Sequence, residues 1–227
     1  MHLRLWSFAP DTVESGTMNV PLHAVTVSGR ALALFGVLLT ASSALAAEPA
    51  SPAADEKADT RARLDGGEII VQTTPVEGSG VPKIKAMGVV DAPPAAIWAV
   101  IERCGDYKKT MIRTAESVEL SRKGNVVRCR VTIELPFPLK NLTATTDAIH
   151  TVVPGKKWQR RWTLVEGDYV RNSGSWTLLP FDDEGKRTLV IYEVNAEPKI
   201  AIPDSIQRAA QKKSLPNLFE HLRETIH

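Results

Sequence analysis

The stretch of sequence that decides the fold lies at residues 203–226 and reads PDSIQRAAQKKSLPNLFEHLRETI. Its apolar residues recur mostly three or four positions apart, which is the spacing of one face of an amphipathic helix. Pro203 followed by Asp204 is a typical helix start, because a carboxylate can cap the first turn. One unbroken helix over this stretch would be about 34 Å long, so a sheet formed by the preceding strands could pack along it.

Pro216 interrupts this helical pattern and leaves two alternatives. Either Pro216 kinks one continuous helix, or Ser214 caps a second helix that carries Pro216 in its first turn. The second arrangement costs little, because the N–H that proline lacks has no intrahelical partner in a first turn.

The chain before this stretch reads mostly as strands joined by turns. The predicted strands are 68–74, 84–90, 118–121, 126–135, 142–153, 157–166, 173–179 and 188–196. Turn signals at Gly124, Gly155 and Gly185 join the last six into hairpins. A short helix around Trp98, capped by Asp91, follows the second strand. Consecutive hairpins indicate an antiparallel sheet with helices on one side of it, an α+β fold.

Composition is that of an ordinary globular protein. The 227 residues are 43% hydrophobic and 24% charged, with a formal net charge of +2. This length fits one domain with additional segments. A nucleic-acid-binding domain would carry a strongly basic face, so we expect no nucleic-acid partner.

The amino-terminal residues 1–46 have the pattern of a cleaved signal peptide. Arg30 supplies the positive flank, 31–40 the apolar run and 44–46 a small-x-small cleavage site. The run is short for a membrane span, although a retained anchor is the alternative. Met18 would begin a more typical signal than Met1. We therefore expect an exported protein, periplasmic or secreted.

A linker is predicted between the signal peptide and the domain. Residues 47–63 contain no large apolar residue, so the sequence predicts a disordered segment that cannot offset its ordering entropy. The domain itself is predicted at 64–227, which is long enough to bury a sizeable core.

Cys104 and Cys129 are the two cysteines of the chain. Export permits a disulfide between them, and two buried free thiols are the alternative. No Cys and His residues have the spacing of a zinc site, so we expect neither a metal nor another cofactor.

Several segments carry a resemblance to a known family. Residues 133–141, IELPFPLKN, resemble the Pro-aromatic-Pro-Leu-x-Asn/Asp segment of START (steroidogenic acute regulatory protein-related lipid transfer) domains. Residues 174–176 with 188–192 resemble the next block, and 197–198 with the terminal helix resemble the last. The chain over 83–226 is thus similar to START domains and to the wider SRPBCC, Bet v 1-like superfamily, which includes polyketide cyclases and coenzyme-Q-binding proteins. At 141–143 it departs from the family, since many START domains have an Arg-Asp pair there.

The resemblance implies a helix-grip fold, in which a curved antiparallel sheet wraps around the long C-terminal helix. It also implies an apolar tunnel between sheet and helix for one lipid-like molecule, which is the kind of site that binds small hydrophobic ligands. The candidate ligand-binding residues are inward strand positions, two loop segments and one helix face. They are Val131, Ile133, Leu135, Phe137, His150, Trp162, Trp176, Leu178, Val190, Tyr192, Val194, Ile202, Ile206 and Ala210. The alternative is that the same residues pack as a solid core.

Two loop segments are candidates for the entrance of such a tunnel. Phe137 lies between prolines, and Ile200 and Ile202 lie before the terminal helix. We expect these three residues to form a hydrophobic rim that contacts a membrane transiently.

A basic cluster surrounds the Pro154-Gly155 turn. It would attract anionic lipid head groups, or it would be an ordinary solvated hairpin tip. Its members are Lys156, Lys157, Arg160 and Arg161.

The sequence indicates no catalytic residue. Acid–base catalysis needs a His or carboxylate with a shifted pKa inside the pocket. His150 is the one mid-domain histidine, and no Ser-His-Asp order is apparent.

Three functions remain open from the sequence. The first is an exported protein that binds or carries a lipid or another hydrophobic molecule. The second is a cyclase or aromatase type of enzyme with a hydrophobic substrate, and the third is an interaction module with a closed core. Export favours the first over the second, because polyketide cyclases meet carrier-bound substrates in the cytoplasm. The sequence indicates no oligomeric state.

Overall fold

The computed structural model describes residues 52–209 and 213–226. We number the elements in chain order. They are α1 Pro52–Asp65, β1 Ile70–Thr74, β2 Lys83–Val90, α2 Pro94–Ile101, α3 Tyr107–Thr110, β3 Thr114–Lys123, β4 Val126–Ile133, β5 Leu142–Val153, β6 Lys157–Gly167, β7 Tyr169–Pro180, β8 Thr188–Pro198, α4 Asp204–Ala209 and α5 Leu215–Ile226. A short 3₁₀ turn, Cys104–Asp106, precedes α3. No helix among the described residues is long and apolar enough to cross a membrane.

The eight strands form one antiparallel sheet in the order β1-β2-β8-β7-β6-β5-β4-β3. Alternate side chains along each strand face the same side of a sheet. On β4, for example, Val127 and Cys129 are fully buried whereas Arg128 and Arg130 are exposed. The sheet closes over the C-terminal helix, and the predicted α+β helix-grip fold is confirmed.

The C-terminal segment forms two described helices, α4 and α5, with a π-helical turn at 213–214. Pro216 lies in the first turn of α5, but Ser214, the predicted cap, belongs to the π-helical turn that leads into this helix. Residues 210–212 lie outside the described residues, so the choice between one kinked helix and two helices stays a prediction. The inner side of α5 carries Phe219, which is fully buried against the sheet. A Cβ atom at Gly88 of β2 would lie 2.7 Å from Phe219 Cδ1, so the glycine allows this close approach of helix and sheet.

The prediction of a disordered linker at 47–63 is wrong for residues 52–63, which belong to α1. Near the end of this helix, Leu64 is buried in a cluster with Met87 and Phe181. The Arg61 guanidinium lies 4.4 Å from the centroid of the Phe181 ring and donates a hydrogen bond to the Phe181 carbonyl oxygen. One leucine and one stacked arginine therefore attach the helix to the domain. The predicted signal peptide lies outside the described residues.

A disulfide joins Cys104 and Cys129, with the two Cα atoms 6.3 Å apart. The sequence left open a disulfide or two buried free thiols, and the structure contains the disulfide. The bond attaches the 3₁₀ turn to β4 and so fixes the segment that leads into α3. The predicted cap of α2 is wrong, because Pro93 occupies the N-cap position and Asp91 lies before it.

Candidate ligand-binding cavity

A cavity of about 340 Å³ lies between the concave face of the sheet and α5. This volume is at the lower end of the range of small-molecule sites, roughly 300–1,000 Å³. The apolar part of its wall consists of Ile84, Met111, Ile112, Val131, Ile133, Ala144, Trp162, Trp176, Tyr192, Val194, Ala196, Leu215 and Leu218. The polar residues on the wall are Tyr107, Arg113, Thr114, Thr146, Arg160, Tyr169, Asn172 and Ser214. The space between the sheet and the helix is therefore mostly apolar, carries a minority of polar groups on its wall and is partly open to solvent.

Six of the predicted ligand-binding residues line this cavity. They are Val131, Ile133, Trp162, Trp176, Tyr192 and Val194. All six lie at inward positions of β4, β6, β7 and β8, as the alternation of apolar residues along these strands predicted. Their contact with a ligand remains a prediction.

Among the described residues, the other members of the predicted set do not line the cavity. Leu178 and Val190 are fully buried in the core with α2, because that helix covers their end of the sheet. Leu135 packs instead against the cluster of Leu142 and Tyr169. Phe137 is 96% exposed on the β4–β5 loop. His150 contacts the guanidinium of Arg160. Ile202 lies before α4 and Ile206 lies within it, and both are half-buried. Ala210 lies outside the described residues.

An aromatic cluster forms one side of the cavity. The Trp176 and Tyr192 rings have centroids 4.5 Å apart, and the Trp162 ring stacks on Tyr192 at 6.0 Å. Trp162 Nε1 donates a hydrogen bond of 3.0 Å to Asn172 Oδ1, which fixes the orientation of the indole. A Cβ atom at Gly174 would overlap the Trp162 ring and the Glu193 carbonyl oxygen. The glycine is therefore required for the indole to lie flat against β7.

A buried arginine provides the strongest polar feature of the wall. Arg160 is only 3% exposed. Its Nε donates to the Tyr107 hydroxyl at 3.1 Å, its Nη1 to His150 Nε2 at 3.3 Å and its Nη2 to Cys129 Sγ at 3.3 Å. The Tyr107 hydroxyl in turn donates to the Ile101 carbonyl oxygen. These contacts hold the guanidinium in one position at the wall.

Sequence reasoning missed Arg160 as a cavity residue, since it placed this arginine in an exposed basic cluster. The alternation of side chains along β6 could have identified it, because Trp158, Arg160 and Trp162 are two residues apart and lie on the same face of the strand. The two tryptophans indicate the inward face, so the arginine between them also points inward.

The four residues of the predicted basic cluster do not form one surface, and they do not lie near the predicted hydrophobic rim. Arg160 is buried, and the remaining Lys156, Lys157 and Arg161 lie around the β5–β6 turn. Phe137 precedes the opposite end of β5, roughly 36 Å away along a 12-residue strand. Ile200, in contrast, lies at the same end of the sheet as Phe137. Asp168 accepts hydrogen bonds from Thr143 N and Lys199 N, and these bonds bring the β4–β5, β6–β7 and β8–α4 connections together.

The pKa of His150 is lowered to about 4. Burial is the largest cause, and the positive charges of Arg160 on β6 and Arg122 on β3 add to it, while Glu119 on β3 opposes them. The imidazole is also in edge contact with Trp98 of α2, at 5.1 Å between ring centroids. His150 is therefore neutral at pH 7 and accepts the hydrogen bond of Arg160.

Acidification from pH 6.5 to pH 5 is expected to lower the free energy of unfolding. Over this range the unfolded chain protonates His150 and the folded chain does not, so the loss is at most about 1 kcal/mol per pH unit. The carboxylates whose pKa values are lowered by arginine partners, such as Glu119, act at lower pH. Urea denaturation at several pH values will measure the slope, and His150→Gln should reduce it. An equal slope in this variant would contradict the assignment.

A match to a protein-family model shows the family of this chain. The model of the family described as polyketide cyclase / dehydrase and lipid transport matches residues 90–223, more than half of the chain. The chain belongs to this family. A search of curated proteins finds no match.

Solved structures of START proteins resemble this member of the family. The STAR-related lipid transfer protein from Xanthomonas axonopodis is 19% identical, with a TM-score of 0.61 over 70% of this chain and 93% of that one. The human StAR-related lipid transfer protein 5 is 11% identical, with a TM-score of 0.58 over 76% and 92%. A START superfamily protein from Mycobacterium smegmatis is 15% identical, with a TM-score of 0.52 over 63% and 96%. At these identities the likeness shows the fold alone, which is the helix-grip fold of START domains.

Proposed function

We propose that this chain is an exported START-like protein that binds and carries one small hydrophobic molecule. The observation that carries the proposal is the apolar cavity of about 340 Å³ between the sheet and α5. Binding in such a cavity is favoured because apolar surface of the ligand leaves water. The family description includes lipid transport, which agrees with this function.

The size of the cavity restricts the ligand. Its volume of about 340 Å³ lies at the lower end of the range of small-molecule sites, roughly 300–1,000 Å³, which favours a ligand with one medium-length hydrocarbon chain or a compact ring system.

A binding protein fits the wall better than a cyclase, which the family also includes. No Asp, Glu or His is among the described residues that line the cavity. Burial raises the pKa of the Tyr107 hydroxyl, so near pH 7 this group neither ionises to a basic phenolate nor gives up its proton readily. General acid–base catalysis needs a group whose pKa lies near the working pH.

Native mass spectrometry of the purified protein, followed by solvent extraction, tests the proposed binding. We expect a complex with one apolar molecule per chain, and extraction should release a molecule of about the size of the cavity. A protein that purifies empty and takes up no medium-chain alcohol from solution would contradict the proposal.

Export is part of the proposal and rests on two observations. Residues 30–46 have the pattern of a signal peptide, and the Cys104–Cys129 disulfide is of the kind that persists in oxidising compartments. Fractionation of the host cells, with mass spectrometry of the amino terminus, should find a mature chain that begins at Ala47 outside the cytoplasm. An intact chain in the cytoplasm would contradict this part.

A hydrophobic rim at one end of the sheet is proposed to contact a membrane during ligand transfer. Phe137 is 96% exposed and Ile200 is 41% exposed, and both lie at the end where three connections meet. Insertion of one phenylalanine into a bilayer contributes about 2 kcal/mol.

Vesicle flotation will test this contact. Phe137→Ser is expected to weaken binding about thirtyfold. Val118→Ser, at a side chain 51% exposed on β3, should have no effect. Charge reversal at Lys156, Lys157 and Arg161 should also have no effect, because these residues lie at the other end of β5. Undiminished binding of Phe137→Ser would refute the rim.

A further inference from the structure

We propose that the ligand is an anionic amphiphile whose carboxylate binds Arg160 while its hydrocarbon chain fills the apolar part of the cavity. This inference rests on the proposed binding function and specifies the chemical class of the ligand. Arg160 is a cation on the wall of the cavity and is only 3% exposed to solvent.

Arg160 has no acidic partner within 4.0 Å among the described residues. The carboxylate whose pKa responds to its charge is Glu119, and both oxygens of Glu119 bind Arg122, at 2.9 and 2.8 Å. A buried charge without a counter-charge is costly to the folded protein. A negative group that enters the cavity would remove this cost, so the site favours an anionic ligand.

The hydrogen bonds of Arg160 leave a suitable pair of donors. A guanidinium has five N–H donors, and three of them bind Tyr107, His150 and Cys129. The remaining two are one N–H on Nη1 and one on Nη2. A free N–H on each terminal nitrogen is what a bidentate contact needs, because the two oxygens of a carboxylate bind two nitrogens of one guanidinium.

The guanidinium is held in place before a ligand arrives. Its central carbon lies 5.8 Å from the centroid of the Tyr107 ring, and the Tyr107 hydroxyl is itself fixed by its bond to the Ile101 carbonyl oxygen. His150 can accept from Nη1 because it has no proton on Nε2 in its neutral form with Nδ1–H. A pre-organised donor pair binds its ligand with little further loss of side-chain freedom.

The wall beyond Arg160 determines the rest of the ligand. The described residues that line the cavity include no carboxylate that would repel an anion. Val131, Val194 and Leu218 supply apolar surface for a hydrocarbon chain. The wall fits a monocarboxylate with one medium-length hydrocarbon chain.

Titration of the full chain with three ten-carbon probes will test the proposal. Decanoate, decan-1-ol and decyltrimethylammonium differ in the charge of the head group, and the fluorescence of Trp162 and Trp176 on the wall reports binding at pH 8. We expect decanoate to bind at least tenfold more tightly than decan-1-ol, although the alcohol is the more hydrophobic molecule. Decyltrimethylammonium should bind more weakly than either.

Two variants separate the buried arginine from its exposed neighbour. Arg160→Met should lower the affinity for decanoate at least tenfold and abolish the preference for decanoate over decan-1-ol. Arg161→Met removes the same charge from the outer face of the same strand and should change neither affinity.

Equal affinity of the wild-type protein for decanoate and decan-1-ol would overturn the inference and leave the proposed function intact. Preference for decanoate that persists in Arg160→Met would also overturn it. Failure of all three probes to bind would contradict the proposed function itself. If Arg160→Met does not fold, the comparison of the three probes on the wild-type protein decides the question.

Discussion

Replacement of Phe219 by alanine is expected to lower the free energy of unfolding by about 3–5 kcal/mol. Phe219 is the largest fully buried side chain of the described residues, and its ring fills the space over Gly88 between α5 and β2. The truncation loses apolar burial and leaves a hole, because Gly88 has no side chain with which to fill it. Urea denaturation followed by circular dichroism will measure the change.

Leu218→Ala provides the matched control for Phe219→Ala. Leu218 is the preceding residue of α5, but it is half-buried and lines the cavity. Its truncation enlarges an existing space, so we expect a loss less than half as large as that of Phe219→Ala. Equal losses at the two positions would mean that α5 packs on the sheet uniformly, without a cavity beside Leu218.

Replacement of Ala144 by phenylalanine is expected to abolish ligand binding, with a loss of affinity of about a hundredfold or more, equivalent to about 2.8 kcal/mol. Ala144 lies on β5 and lines the cavity, so a phenyl ring there occupies the space of the ligand. The added side chain enters open volume and should change the stability of the protein little.

Ala148→Phe is the control for this variant. Ala148 lies on the same strand and the same face, four residues further on, but it is fully buried in close contact with the core and does not line the cavity. Overpacking there should cost about 3 kcal/mol or more of stability. Similar destabilisation by both substitutions, measured by thermal denaturation, would contradict the presence of open space at Ala144.

The strands and the sheet were predictable because their signals are local. Apolar alternation placed β5 at its observed bounds and put Val131, Trp176 and Tyr192 on one face. The ends of strands without strong alternation were less accurate. For example, β7 begins at Tyr169 although the sequence predicted 173–179, because its first residues pair with β8 on either side of a bulge.

Other features depend on contacts that are distant in the sequence. The helix α1 has a weak apolar face and depends on Leu64 and on Arg61 stacked against Phe181, 120 residues away. The exclusion of Leu178 and Val190 from the cavity depends on where α2 crosses the sheet, which periodicity along a strand does not report. The role of Arg160 depends on partners from three other segments, namely Tyr107, Cys129 and His150.

The central claim is that open apolar space remains between the sheet and α5. Crystals of the protein pressurised with xenon test this claim most directly, because apolar cavities bind xenon without any knowledge of the natural ligand. We expect density for xenon, or for a co-purified apolar molecule, in contact with Val131, Trp162 and Leu218. A map in which the side chains themselves fill this region and no xenon binds there would contradict it.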